Sequence, residues 1–289
     1  MAENKEIDNV TGVETTGHEW DGIKELNKPL PRWWLWTFYA TIVWSVGYWI
    51  AYPAWPLISG YTEGVLGYSQ RATVAEEIRQ ARAAQSVMND AINAATLEEI
   101  KSNPDLLQFA MAGARTAFGD NCAPCHGRGA QGFKGYPNLN DDAWLWGGTL
   151  DAIHTTLLHG IRAGNDETRL SDMPRYGLDG ILDRNQISDT AEYVLSISGN
   201  EHDAAAAERG KAIFADNCSA CHGEDGKGLQ ELGAPNLTDA IWLYGSDKAD
   251  IVTSIQTGRG GVMPAWKDRL DENTIKKLTV YVHSLGGGQ

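Results

Sequence analysis

Asn121-Cys122-Ala123-Pro124-Cys125-His126-Gly127 returns almost unchanged as Asn217-Cys218-Ser219-Ala220-Cys221-His222-Gly223. Two cysteines separated by two residues and followed at once by histidine mark the attachment site of a c-type haem. The spacing has a physical reason. Two thiols on one short helical turn reach the two vinyl groups of one porphyrin. The adjacent histidine then stands over the ring and offers a nitrogen to the iron. A zinc ribbon also uses paired cysteines, but it needs no histidine after each pair, and its pairs lie close together in sequence. The reading supported here is two covalently bound haem c groups, one on Cys122, Cys125 and His126, the other on Cys218, Cys221 and His222. These sites use all 4 cysteines of the chain, so none is left for a structural disulfide.

The flanks of the two motifs match as well, which makes the C-terminal two-thirds an internal repeat. Phe118-Gly119-Asp120-Asn121 corresponds to Phe214-Ala215-Asp216-Asn217, and Gly135-Tyr136-Pro137-Asn138-Leu139 to Gly233-Ala234-Pro235-Asn236-Leu237. Trp144-Leu145-Trp146-Gly147 corresponds to Trp242-Leu243-Tyr244-Gly245, Met173-Pro174 to Met263-Pro264, and Leu182-Asp183-Arg184-Asn185-Gln186-Ile187 to Leu270-Asp271-Glu272-Asn273-Thr274-Ile275. The first copy carries extra loop residues around 165–171. Each segment ending in Phe118 or Phe214 reads as a helix leading into the haem turn. Gly210 would let a second helix cross closely, where the first copy has Ala114. Apolar residues at helical spacing over 187–197 and 275–285 predict a last helix that crosses the first helix of its own repeat. The Gly-x-Pro-Asn-Leu loop is placed beside the haem histidine, with its proline carbonyl accepting the imidazole N–H.

An iron that only carries electrons needs two strong axial ligands. A histidine with a methionine supplies them and raises the potential. Met173 follows His126, and Met263 follows His222, at matching places in the repeat, so the expected iron ligands are His126, Met173, His222 and Met263. A lone methionine is ordinarily core filler, but Met1, Met88 and Met111 do not follow a haem motif. His154 and His159 compete with Met173 in the first repeat. His283 matches Leu195 of the other copy and reads as core or surface, and His202 lies in the polar join between repeats.

The remaining third is different in kind. Residues 1–32 are polar and read as a flexible tail. From Trp33 to Thr62 there is no Asp, Glu, Lys or Arg, and Trp33, Trp34, Trp36, Trp44, Trp49 and Trp55 crowd the stretch. At about 1.5 Å per residue, Trp33 to Trp55 would cross a bilayer core of about 30 Å, with its aromatic residues at the interfaces. Lys24, Lys28 and Arg32 precede the stretch, and the next basic residue is Arg71, so the positive-inside rule places the N-terminus in the cytoplasm. Residues 71–103 read as helix, with a capping box at Thr96-Leu97-Glu98-Glu99 and a break at Asn103-Pro104. The segment carries no evident chemistry and is expected to pack on a partner or on the first haem module. A formal net charge of −14 argues against nucleic acid and suits either a basic docking partner or plain solubility.

Each repeat resembles the class I cytochrome c family. The whole chain resembles the membrane-anchored dihaem subunits, CcoP or FixP, of cbb3-type cytochrome c oxidase. The runs Gly17-His18-Glu19-Trp20-Asp21-Gly22-Ile23-Lys24-Glu25-Leu26-Asn27, Pro29-Leu30-Pro31-Arg32-Trp33-Trp34 and Tyr52-Pro53-Ala54-Trp55-Pro56 carry the second resemblance. It implies an all-α fold: one N-terminal transmembrane helix followed by two class I cytochrome c domains. The expected bounds are a cytoplasmic tail over 1–32, the transmembrane helix over 33–56, a helical connector over 57–108, and cytochrome c domains over 109–200 and 201–289. It further implies a bacterial inner membrane location with the haem domains on the periplasmic side. The partners would be a catalytic haem b/copper subunit, a monohaem cytochrome c subunit and a cytochrome c donor. The oxygen chemistry would belong to the catalytic subunit, and no catalytic residue is expected in this chain. One alternative is a dihaem shuttle of another membrane complex, a dehydrogenase or a nitric oxide reductase. A haem-based gas sensor would need an open iron position and an output domain, and two methionine ligands oppose it.

Overall fold

The structure, a computed structural model, describes residues 6–288 and divides into two compact units that meet in sequence between Ala84 and Gln85. Residues 1–5 of the expected tail lie outside the described residues. The chain is mostly helical rather than all-α, because the first unit holds two small antiparallel sheets.

In the first unit, β1 (Thr15–Trp20) pairs with β2 (Ile23–Leu26) around Asp21-Gly22, whose φ values are 48° and 83°. An Asp-Gly pair adopts this turn readily, and the turn matches the twist of the strands it joins. The expectation of a flexible tail is corrected over this hairpin. Helix α1 (Arg32–Ala51) follows Pro31 and has no buried residue. It stops because Pro53 disfavours helical backbone in the residue before it, and Tyr52 is extended at φ −118° and ψ 162°. The expected helix to Trp55 is therefore shortened; the 20 residues of α1 span about 30 Å. By mean hydropathy no helix among the described residues is long and apolar enough to cross a membrane. A second short pair, β3 (Pro56–Leu57) and β4 (Gly60–Tyr61), follows.

Helix α2 (Gln70–Ala94) runs across the division between the units. The second unit continues with α3 (Leu97–Ser102), α4 (Pro104–Asn121), α5 (Ala123–His126) and α6 (Leu150–His159). Then come α7 (Arg184–Ile197), α8 (Ala204–Asn217), α9 (Ser219–His222), α10 (Lys248–Thr257) and α11 (Glu272–His283). Local chemistry sets the boundaries. Thr96 and Glu99 close a reciprocal capping box on α3, and Asn103 ends α3 while its side chain caps α4 ahead of Pro104. Asp183 caps α7 and Asp271 caps α11, as their shared sequence requires.

The packing departs from the expected order. Helix α8 lies against α7, and α4 lies against α11, so each last helix crosses the first helix of the other repeat. The ring of Phe214 is 5.1 Å from that of Tyr193, and the ring of Phe118 is 5.4 Å from that of Tyr281. Both phenylalanines are fully buried, a contribution of about 1.5–3 kcal/mol each. The expectation that each last helix returns to its own repeat is thus corrected. The expected role of Gly210 holds, because a Cβ there would collide with the Asp189 carbonyl oxygen on α7. At the matching position of α4, Ala114 is fully buried in the core it shares with α11. The connector packs on α11 too: Asn273 Nδ2 donates to Asn89 O at 2.8 Å, and Lys276 Nζ to Asn93 O at 2.8 Å. Ile92, Leu97, Ile100, Ala110, Leu150 and Val280 form a third core there.

Candidate functional site

Each motif sits on the turn between two helices. Cys122 ends α4, its N–H bonding Phe118 O at 2.8 Å, and α5 carries Ala123 to His126. Cys218 does the same between α8 and α9. Cys122 and Cys218 are buried, whereas Cys125 is exposed and Cys221 half-buried. Burial pushes the Cys122 and Cys218 thiols up to about 11, so both stay protonated at neutral pH. The two pairs belong to separate cores. Among the described residues no three His, Cys, Asp or Glu side chains gather as a metal cluster.

The histidines are held alike. His126 Nδ1 lies 3.0 Å from Pro137 O, and His222 Nδ1 lies 3.0 Å from Pro235 O. A carbonyl only accepts, so Nδ1 carries the proton and Nε2 keeps its lone pair. Burial lowers both histidine pKa values, which favours the neutral, ligating form. The carbonyl bond fixes the ring and strengthens it as a donor. The expected loop beside the histidine is present in both copies.

The methionines change partners. Met173 lines one cavity with Cys218, Cys221 and His222. Met263 packs against the core that contains Cys122 and Ala123. The structure therefore does not bring Met173 to His126 or Met263 to His222; it places each methionine with the motif of the other repeat. Backbone pairing enforces this. Ile161 and Met263 bond reciprocally, as do Met173 and Arg259. Gly160 and Gly258 end α6 and α10 with φ 68° and 69°, and a Cβ on either would collide with the carbonyl oxygen of Met263 or Met173, respectively.

The rival histidines lie elsewhere. His154 has Asp151, Glu272 and Lys276 as charged neighbours, and its Nε2 is buried without a hydrogen-bond partner. His159 Nδ1 is 3.3 Å from Glu167. His283 is buried on α11, and His202 Nδ1 contacts Asn200 O at 2.9 Å. Two thiols on one turn, an imidazole with a free Nε2 and a facing thioether fit the needs of a covalent haem at each motif. Sequence reasoning missed two stacked cations. The Arg259 guanidinium carbon lies 4.2 Å from the Tyr244 ring centre, and that of Arg169 lies 5.3 Å from the Trp146 ring centre. The aromatic partners were visible in the repeat, and so was the spacing that could have found the cations: Arg169 stands four residues before Met173, and Arg259 four residues before Met263.

Comparison with known proteins gives three family matches. Residues 12–59 match the N-terminal domain of cytochrome oxidase-cbb3, FixP; residues 110–198 match cytochrome c; and residues 205–282 match cytochrome c oxidase, cbb3-type, subunit III. The chain is 59% identical over 284 residues to the cbb3-type cytochrome c oxidase subunit FixP of Azorhizobium caulinodans, covering 98% of this chain and 96% of that one. It is 56% identical over 293 residues to the FixP subunit of Bradyrhizobium diazoefficiens, covering 100% of both chains. It is 55% identical over 276 residues to the CcoP subunit of Cereibacter sphaeroides, covering 95% of both chains.

Proposed function

The chain belongs to the FixP/CcoP family of cbb3-type cytochrome c oxidase subunits, and we propose that within such an oxidase it carries electrons on two haem c groups. A haem c would supply a one-electron iron couple; the chain's cysteines would attach it, and a histidine and a methionine would bind its iron. Cys122 and Cys125 hold one haem, and Cys218 and Cys221 the other. His126 and Met263 would hold the iron of the first haem, and His222 and Met173 that of the second. The observation that carries this reading is the cavity where Met173 meets Cys218, Cys221 and His222. Pro137 and Pro235 keep each imidazole in the tautomer that binds iron. Cys122 and Cys218 are buried and His126 and His222 half-buried, which would lower the local dielectric beside each haem. The electrons come from a cytochrome c donor and pass towards a monohaem subunit and a haem b/copper catalytic subunit, where oxygen is reduced.

We also propose that α1 anchors the chain as a single span. Its tryptophan and tyrosine residues depress the hydropathy index, yet they are the side chains suited to a bilayer interface. Trp33, Trp36, Val43 and Trp44 are 70%, 74%, 73% and 68% exposed, an apolar surface that water disfavours and lipid accepts. Lys24, Lys28 and Arg32 keep the N-terminal side in the cytoplasm, which puts the haem motifs in the periplasm. Purification of the native complex from membranes, with its subunits and haem types identified, tests the assignment. A haem b and copper subunit should accompany the chain; a complex without one sinks the oxidase reading.

A further inference from the structure

The two repeats touch through an exchanged aromatic pair. Trp146 of the first repeat lies on Gly233 of the second so closely that a Cβ at Gly233 would collide with the indole ring. Gly233 has φ 61° and ψ 25°, the left-handed conformation that glycine adopts without strain. Two residues on, Pro235 provides the carbonyl that holds the ring N–H of His222. The Trp146 ring is itself held. Arg169 stacks on it while its Nε donates to Thr156 Oγ1 at 3.0 Å and its NH2 group to Ala152 O at 3.1 Å. The reverse contact is present in looser form. A Cβ at Gly135 would be 3.6 Å from the Tyr244 ring, and Gly135 N–H donates to Leu243 O at 2.8 Å. Gly135 begins the loop whose Pro137 holds His126.

We propose that Trp146 is a positioning residue for the opposite haem: it fixes the Gly233-Ala234-Pro235 loop and thereby the imidazole of His222. The inference rests on the reading of His222 as an iron ligand. Its physical content is steric. The loop meets the indole at a position with no side chain of its own, so removal of the ring leaves a void under the backbone that presents the Pro235 carbonyl. The carbonyl then holds the imidazole less firmly, and ring orientation and donor strength both change. Trp146 thus acts on the haem of the repeat to which it does not belong.

The test uses the full chain in its purified complex and the low-spin ferric resonance spectrum, which reports axial ligand orientation. Chains with Cys122→Ala and Cys125→Ala, or with Cys218→Ala and Cys221→Ala, keep one haem each and assign the two signals. Trp146→Ala should shift the signal of the Cys218 haem and leave that of the Cys122 haem in place. Gly233→Ala should shift the same signal, because its methyl collides with the ring. The double variant Gly233→Ala with Trp146→Ala should shift it less than Gly233→Ala alone, the non-additivity expected of coupled neighbours. If Trp146→Ala does not fold, Trp146→Phe gives the same comparison with a smaller void. A shift confined to the Cys122 haem, or no shift, overturns the inference while leaving the haem assignment intact. A parent chain with no covalently stained haem overturns both.

Discussion

Met263 and Ile161 exchange both of their backbone hydrogen bonds, at 3.0 and 2.9 Å, although they belong to different repeats of the sequence. Met173 and Arg259 do the same at 3.0 and 3.3 Å. The methionine placed with each CxxCH motif is therefore fixed by the loop that follows that motif.

Single-haem chains should reveal the pairing. With Cys122→Ala and Cys125→Ala, only the haem on Cys218 and Cys221 remains. Met173→Leu should then open that iron to carbon monoxide, and Met263→Leu should not. Carbon monoxide difference spectra decide the matter, and the opposite result would restore the pairing expected from sequence order.

The glycines behind the methionines should be as demanding as the ligands. Gly160 has φ 68° and ψ −171°, a region open almost only to glycine, at a strain of about 1–3 kcal/mol for other residues. Gly160→Val should free Met263 and let carbon monoxide reach the Cys122 haem, while Gly258→Val acts on the Cys218 haem. Gly164 at φ 75° has open space around it, so Gly164→Ala is the control for backbone strain alone. Equal effects from Gly164→Ala and Gly160→Val would remove the steric explanation.

Helix crossing gives a stability prediction. Gly210→Ala puts a methyl into the Asp189 carbonyl and should cost about 1–3 kcal/mol, the range for overpacking. Gly113→Ala on α4 meets the Lys277 side chain first, at 3.4 Å, the edge of ordinary van der Waals contact, and should change little. Urea unfolding of the two variants, followed by helical circular dichroism, measures the difference; equal midpoints would contradict the packing.

The anchor is testable by one charge. Val43→Lys places an ammonium in the middle of α1, at a cost of about 2.5–3.5 kcal/mol if that residue sits at the centre of a bilayer. The variant should be extracted from membranes by alkaline carbonate more readily than the parent. Identical retention of both would argue that other subunits hold the chain.

Much of this was legible in the sequence. The haem turns and the proline carbonyl beside each histidine follow from short-range patterns, and Pro137 and Pro235 stand where those patterns put them. The pairing of methionines was not legible, for a simple reason. Met173-Pro174 and Met263-Pro264 are the same signal, either suits either motif, and proximity along the chain favours the wrong one. What decides is the pairing of Ile161 and Arg259 with the opposite methionine, which a backbone makes and side-chain chemistry does not announce. The β1–β2 hairpin was a different omission. Asp21-Gly22 is a turn signal, but the strands beside it are polar and expose most of their residues, so they lack the alternation that marks a half-buried strand.

The exchange of last helices also sets an order in time. The residues that complete the second site, from Met173 through α7, α8, α9 and α10, follow one another without interruption. The first site is begun by α4 and Cys122 and completed only by Met263 and α11. One module is thus inserted within the other. As the chain emerges from N- to C-terminus, the site whose cysteines appear first is the last to receive its methionine. The outer module stays open until the inner one has been made.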